Sequence, residues 1–201
     1  MDKEVLRKYL SKAKDSFRTK KNLFVFSLVL RSQNTFTLKE FQEFIITEDL
    51  VELYTAEYWQ KLETEEILNI AVKDIYKQIQ QLELNNKSLL VQCELDYIEN
   101  FEQLFSKDDF QELLNQNQCY YCGLTIKEAE DLADNKKLFK KNLRGWTLEI
   151  DRRNSNYEYS RLNCVMACYW CNNAKTDEFT AEEFEPIGKL IGHTLKNRLL
   201  K

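Results

Sequence analysis

Four cysteines in two close pairs, Cys119/Cys122 and Cys168/Cys171, have the spacing in this chain that most directly implies chemistry. A Cys-x-x-Cys step turns the backbone tightly enough to aim both sulfurs at one point, and two such steps supply the thiolates of a tetrahedral zinc shell. A redox dithiol needs one pair only, so the second pair argues for metal. Gly123 follows the first pair in Cys-Tyr-Tyr-Cys-Gly, where it is free to adopt the conformation that leaves such a turn. A shell of four thiolates has no open position, so this zinc builds the fold and any catalytic metal must sit elsewhere.

The elements around the cysteines follow from pattern. Trp146-Thr-Leu-Glu-Ile-Asp151 alternates and is β-prone, as is Asn163-Cys-Val-Met-Ala167, and the polar stretch 153–161 between them reads as the loop of a hairpin. The second strand runs into Cys168-Tyr-Trp-Cys171, and Asn172-Asn-Ala-Lys175 begins a short helix. Knuckle, insertion, strand, loop, strand, second knuckle and helix, in that order, make a ββα-metal topology on a treble-clef zinc site.

These residues resemble the HNH endonuclease family, in particular its four-cysteine branch. Leu148-Glu-Ile-Asp151-Arg152 stands where that family has a hydrophobic strand ending in Asp-His. Asn163-Cys-Val-Met-Ala-Cys168 stands where it has Asn, an apolar strand and cysteine, and Cys168-Tyr-Trp-Cys171-Asn172-Asn-Ala-Lys175 matches its Cys-x-x-Cys-Asn-x-x-Lys close. The resemblance covers about residues 115–186. It implies hydrolysis of DNA phosphodiester bonds, with Asp151 as carboxylate ligand and Asn172 as carbonyl ligand of one hard divalent cation, Mg2+ or Mn2+. It also implies that Asn163 ties the loop to the strand and orients the catalytic pair. Each has a plainer reading, because Asp at a strand end and Asn at a helix start are ordinary caps.

Arg152 is the departure. The family usually places there a histidine that takes a proton from the attacking water, and arginine stays protonated. Either Arg152 clamps phosphate while Glu149, a tyrosine of the Tyr157/Tyr159 loop or hydroxide accepts the proton, or the site is degenerate and binds without cleaving. The sole histidine, His193, falls on the C-terminal helix and is a poor substitute.

The net charge of −4 argues against a general polyanion binder. Locally the balance reverses: Lys136, Lys137, Lys140, Lys141, Arg144, Arg152 and Arg153 face only Glu149 and Asp151 between residues 136 and 153. If the chain holds phosphates, the candidate contacts are Lys136, Lys137, Lys140, Lys141, Arg144, Arg153, Arg161 and Lys175. A solvated lysine-rich loop accounts for the lysines equally well.

The remaining sequence must fold around this module. In 201 residues there are four glycines and one proline, which leaves long helix-compatible stretches and predicts an α+β, mostly α-helical chain. A helical domain is expected over 1–114 and the zinc domain with a C-terminal helix over 115–201. Val5, Leu6, Tyr9, Leu10, Ala13 and Phe17 recur at helical spacing, giving an amphipathic helix over 3–19 with a basic outer face. Leu23–Arg31 is a buried element whose type the pattern leaves open, with helix preferred. Thr37-Leu-Lys-Glu40 is a capping box opening a helix to about Ile46. This arrangement also occurs in winged-helix DNA-binding domains. Residues 64–83 and 95–114 read as core helices, and Leu89 to Cys93 as a strand or the start of the second of them. Thr180-Ala-Glu-Glu183 is another capping box, and Pro186, Ile187, Leu190, Ile191, Leu195 and Leu199 form a last amphipathic helix. The helical half is left to place substrate, bind a protein partner or form a homodimer. The longest apolar run, Leu23–Leu30, is too short to cross a bilayer, and cysteines paired for metal suit a reducing compartment, so a cytoplasmic protein with no membrane partner is expected.

Overall fold

A computed structural model of the chain describes residues 1–59, 72–138 and 147–200. These form two compact units, Met1–Gln103 and Leu104–Lys201. The chain is α+β and mostly helical.

The first unit is helical in all its described elements: α1 (Lys3–Leu30), α2 (Leu38–Glu43), α3 (Glu48–Trp59), α4 (Val72–Asn85), α5 (Lys87–Asn100) and a 3-10 turn at Phe101–Gln103. The stripe over 3–19 and the run Leu23–Arg31 are one continuous helix, because no glycine, proline or cap interrupts them. Its second half is buried on nearly every side, which is why periodicity fades there: Leu23, Phe24, Val25, Phe26, Leu28 and Val29 all lie in the core. Phe24 meets the rings of Phe36, Phe41 and Phe44 at 5.0–5.2 Å. The Thr37 box forms in both directions, its hydroxyl accepting from the Glu40 amide and the Glu40 carboxylate accepting from the Thr37 amide. Leu89 to Cys93 is helical, inside α5. Ile67, Leu68, Ile70 and Ala71 lie outside the described residues, as does the rest of the 64–71 stretch. No strand pair that would serve as a wing occurs among this unit's described residues.

The expected helix over 95–114 is two helices. α5 stops at Asn100, and Ser106 caps a new one, α6 (Lys107–Leu114), by accepting from the Asp109 amide. Phe105, Phe110 and Leu113 are buried, and α6 falls in the unit Leu104–Lys201.

After α6 come a tight hairpin at 118–125, α7 (Ile126–Asp134), β1 (Leu148–Arg152), β2 (Cys164–Cys168), α8 (Tyr169–Lys175) and α9 (Ala181–Leu199). β1 and β2 pair antiparallel, with Asp151 opposite Val165 and Leu148 opposite Cys168. Capping boxes at Thr125/Glu128 and Thr180/Glu183 start α7 and α9. The core is built on the cysteines themselves, with Leu124, Leu132, Val165, Ala167, Phe184 and Leu195 around them. α9 reaches this core through glycine. A Cβ on Gly192 would stand 2.2 Å from the Cys122 carbonyl oxygen, and one on Gly188 2.7 Å from the Tyr121 Cβ. No described helix is long and apolar enough to cross a membrane.

Candidate metal centre and adjoining polar site

The first cysteine pair lies on the hairpin 118–125, which is closed by Cys119 N–H to Leu124 C=O at 2.9 Å and Ile126 N–H to Asn117 C=O at 2.9 Å. Gly123 takes φ +66°, as the turn requires, and donates to the Cys119 carbonyl. The hairpin is fixed to β2 by Tyr120 N–H to Met166 C=O at 2.8 Å. Because β2 ends at Cys168 and α8 begins at Tyr169, the second pair spans a strand end and the first turn of a helix.

The four sulfurs all lie within 4.8 Å of one another, with Cys122 Sγ 3.6 Å from Cys168 Sγ. Zinc bound at about 2.3 Å in tetrahedral geometry needs sulfurs about 3.8 Å apart, so the set fits one such ion. The Leu124 amide points at Cys122 Sγ at 3.4 Å, as suits a thiolate. Among the described residues this is the only group of three or more His, Cys, Asp and Glu side chains close enough to share a metal ion. Cys93 stands apart, with burial pushing its thiol up to about 11.

Beside this centre, Asp151 is 9% exposed and Lys175 is fully buried. Asp151 Oδ2 accepts from the Tyr121 hydroxyl at 2.6 Å and pairs with Lys175 Nζ at 3.3 Å. Burial raises the Asp151 pKa, outweighing the Tyr121 hydrogen bond and the charges of Lys175 and Arg152, which pull it down. Burial and the acceptor beside it push the Tyr121 hydroxyl strongly up, so it keeps its proton and donates. Lys175 also donates to the carbonyls of Arg152, at 2.9 Å, and Thr176, at 3.4 Å. Thr176 ends α8 at φ 55° and ψ −155°, a region left almost wholly to glycine.

Asn172 sits one turn inside α8 rather than at its start, and its Nδ2 donates to Glu149 Oε2 at 2.6 Å. Asn163 spans the hairpin loop: its Nδ2 reaches the carbonyls of Asn154 and Glu158 at 3.0 Å, and its Oδ1 accepts from the Asn154 amide at 3.0 Å. Arg152 is turned to the loop as well. It donates to the Tyr157 carbonyl at 3.1 Å and lies 4.9 Å from the centre of the Tyr159 ring. Strand alternation puts it on the face opposite Asp151.

The basic candidates separate sharply. Lys175 has no surface to offer a polyanion. Arg153 pairs with Glu182, Arg161 with Asp109 and Glu112, and Lys137 donates to the Leu199 carbonyl. Lys136 is exposed, while Lys140, Lys141 and Arg144 lie outside the described residues. His193 is exposed and paired with the Asn197 side chain. Tyr121 went unassigned at the level of sequence, because only the tertiary fold brings a knuckle residue to Asp151. Glu149 had a local signal, since period-two alternation places it on the same strand face as Asp151.

No protein-family model and no curated protein matches the chain. Among solved structures the chain is similar to the rare-cutting HNH restriction endonuclease PacI, at 27% identity over 52% of this chain and 75% of that chain, with a TM-score of 0.40.

Proposed function

We propose that the second unit is a metal-dependent HNH-type endonuclease that hydrolyses DNA phosphodiester bonds, with a structural zinc on Cys119, Cys122, Cys168 and Cys171. The observation that carries this reading is the placement of Asp151 and Asn172 on facing elements, β1 and α8, both set by the frame that gathers the four sulfurs. A carboxylate and an amide carbonyl are the oxygen donors a hard cation takes, and they would hold Mg2+ or Mn2+ at the site. Such an ion would polarise the scissile phosphate and stabilise charge on the leaving oxygen.

The chain's own residues do the rest. Tyr121 and Lys175 grip one oxygen of Asp151, Oδ2, and leave Oδ1 as the oxygen for a ligand. Asn163 holds the loop in shape from both ends of its amide. Arg152 braces the same loop and cannot accept the water's proton. Lys136, with Lys140, Lys141 and Arg144, supplies the positive charge that draws the DNA backbone. The helical first unit places the substrate or offers a surface to a protein partner or a second copy.

A second reading, a degenerate module that binds nucleic acid or a protein without cleaving, is favoured by one observation: the Lys175 ammonium already neutralises Asp151. Incubating the purified chain with plasmid and single-stranded DNA and Mn2+ separates the two. Nicking that is abolished by Asp151→Ala, in a variant that keeps its zinc and still melts cooperatively, supports the nuclease. Binding without cleavage in the wild type supports the degenerate module, and cleavage unchanged by Asp151→Ala removes the proposed site.

A further inference from the structure

Glu149, a candidate proton acceptor by sequence, is engaged instead by the Asn172 amide. β1 alternates, so Glu149 and Asp151 share the face that meets α8. Each finds one helix residue there: Asp151 pairs with Lys175, and Glu149 accepts from Asn172. Strand residues two apart are separated by about 6.6 Å, and helix residues three apart rise by about 4.5 Å, so the side chains take up the difference.

An asparagine amide has two ends, and only the carbonyl can ligate a cation. Turning the amide over interchanges Oδ1 and Nδ2 with almost no change in shape, so a bare asparagine is an undecided ligand. A carboxylate beside it removes the ambiguity. Oε2 of Glu149 lies 2.6 Å from Nδ2, and in the inverted amide two acceptor oxygens would face each other across that distance. The carboxylate therefore draws the NH2 group and turns Oδ1 away from itself.

We infer that Glu149 is a positioning residue: its carboxylate holds the Asn172 amide in the one orientation that presents the carbonyl oxygen to a divalent cation. This rests on the proposed metal site beside Asp151. Glu149 touches neither the cation nor the reacting phosphate in this arrangement, and it acts through Asn172.

The test compares wild type, Glu149→Gln and Glu149→Ala, each carrying zinc, in Mn2+ binding followed by electron paramagnetic resonance and in the Mn2+ dependence of plasmid cleavage. Loss of such an outer partner typically weakens metal affinity 10- to 100-fold, so Glu149→Ala is expected to raise the Mn2+ dissociation constant about tenfold or more. Glu149→Gln can offer Asn172 either its carbonyl or its NH2 group, so it restores part of the ambiguity and is expected to fall between wild type and Glu149→Ala. Zinc content and melting temperature report whether either variant has lost its fold, and the glutamine variant keeps the comparison meaningful if alanine has. Unchanged Mn2+ affinity in Glu149→Ala overturns the inference. So does a glutamine variant as inactive as the alanine one with wild-type Mn2+ affinity, which would make Glu149 a proton acceptor. A wild type that binds Mn2+ but does not cleave removes the nuclease reading and leaves the inference to be judged on affinity alone. A wild type that binds no Mn2+ removes both.

Discussion

The Lys175 ammonium lies 3.3 Å from Asp151 Oδ2, with the lysine side chain wholly buried and the aspartate side chain 11% exposed. A lysine at the end of a short helix next to a DNA-type motif reads naturally as a phosphate contact. Its burial makes it instead a cross-link between the end of α8 and the end of β1. Removing one partner of a buried pair leaves an uncompensated charge and costs about 3–5 kcal/mol. Lys175→Met is therefore expected to lower stability by about that much, measured by urea denaturation. A double variant, Asp151→Leu with Lys175→Met, should be more stable than the single one, because no charge remains stranded.

Gly192 sets how closely α9 approaches the knuckle. With a Cβ 2.2 Å from a backbone carbonyl, Gly192→Ala cannot be absorbed by a side-chain movement, and the helix or the knuckle must shift. Overpacking of this kind typically costs 1–3 kcal/mol. The expected result is a lowered melting temperature together with faster loss of zinc to a chelator. A variant that releases zinc at the wild-type rate would show that the helix moves and the metal centre does not.

Glu128 carries the acid sensitivity of α7. Burial works to raise its pKa, but the amide and hydroxyl of Thr125 and the charge of Lys196 outweigh it and leave Glu128 below the ordinary 4.5. A carboxyl depressed in the folded state stabilises the fold above its unfolded value and loses that contribution as the pH falls through its folded value. Glu128→Gln keeps an acceptor for the Thr125 amide but not the charge, so it is expected to lose about 0.3–1 kcal/mol at neutral pH, as for a charge at a helix N-terminus, and to lose less than wild type between pH 5 and 3. Melting curves across that range measure it.

Arg152 is held by the Tyr157 carbonyl and the Tyr159 ring, so its removal should loosen the loop. Its charge also pulls the Asp151 pKa down. Arg152→Ala is therefore expected to raise proteolytic nicking within residues 153–161 and to move the acid limb of Mn2+-dependent cleavage to higher pH, since Asp151 then holds its proton longer. Unchanged nicking within that loop would show that Arg152 does not brace it.

What the sequence carried and what it did not follow from how local each signal is. The two Cys-x-x-Cys steps, the β-alternation before Asp151 and the Thr-x-x-Glu boxes at Thr37 and Thr180 are complete within a few residues, and each element appears at its pattern, although the helix after Thr37 ends at Glu43 rather than near Ile46. The length of α1 was only partly legible, because its second half is buried all round and a helix without a polar face loses its periodicity. The break at Ser106 was hidden by apolar residues that continue on both sides of it. The wiring of the polar site was the least legible, since Tyr121, Asp151 and Lys175 come from three separate elements and meet only when the knuckle closes. For the same reason Arg153, Arg161 and Lys175 resembled phosphate contacts until their acidic partners were in place.

The central claim is that Asp151 and Asn172 hold a divalent cation beside the zinc frame. Diffraction from crystals soaked in Mn2+, recorded on both sides of the manganese and zinc absorption edges, tests it most directly. The account predicts a zinc peak among Cys119, Cys122, Cys168 and Cys171 and a separate manganese peak between Asp151 Oδ1 and Asn172 Oδ1. A zinc peak alone, with Asp151 still paired to Lys175 and no manganese beside it, would contradict it.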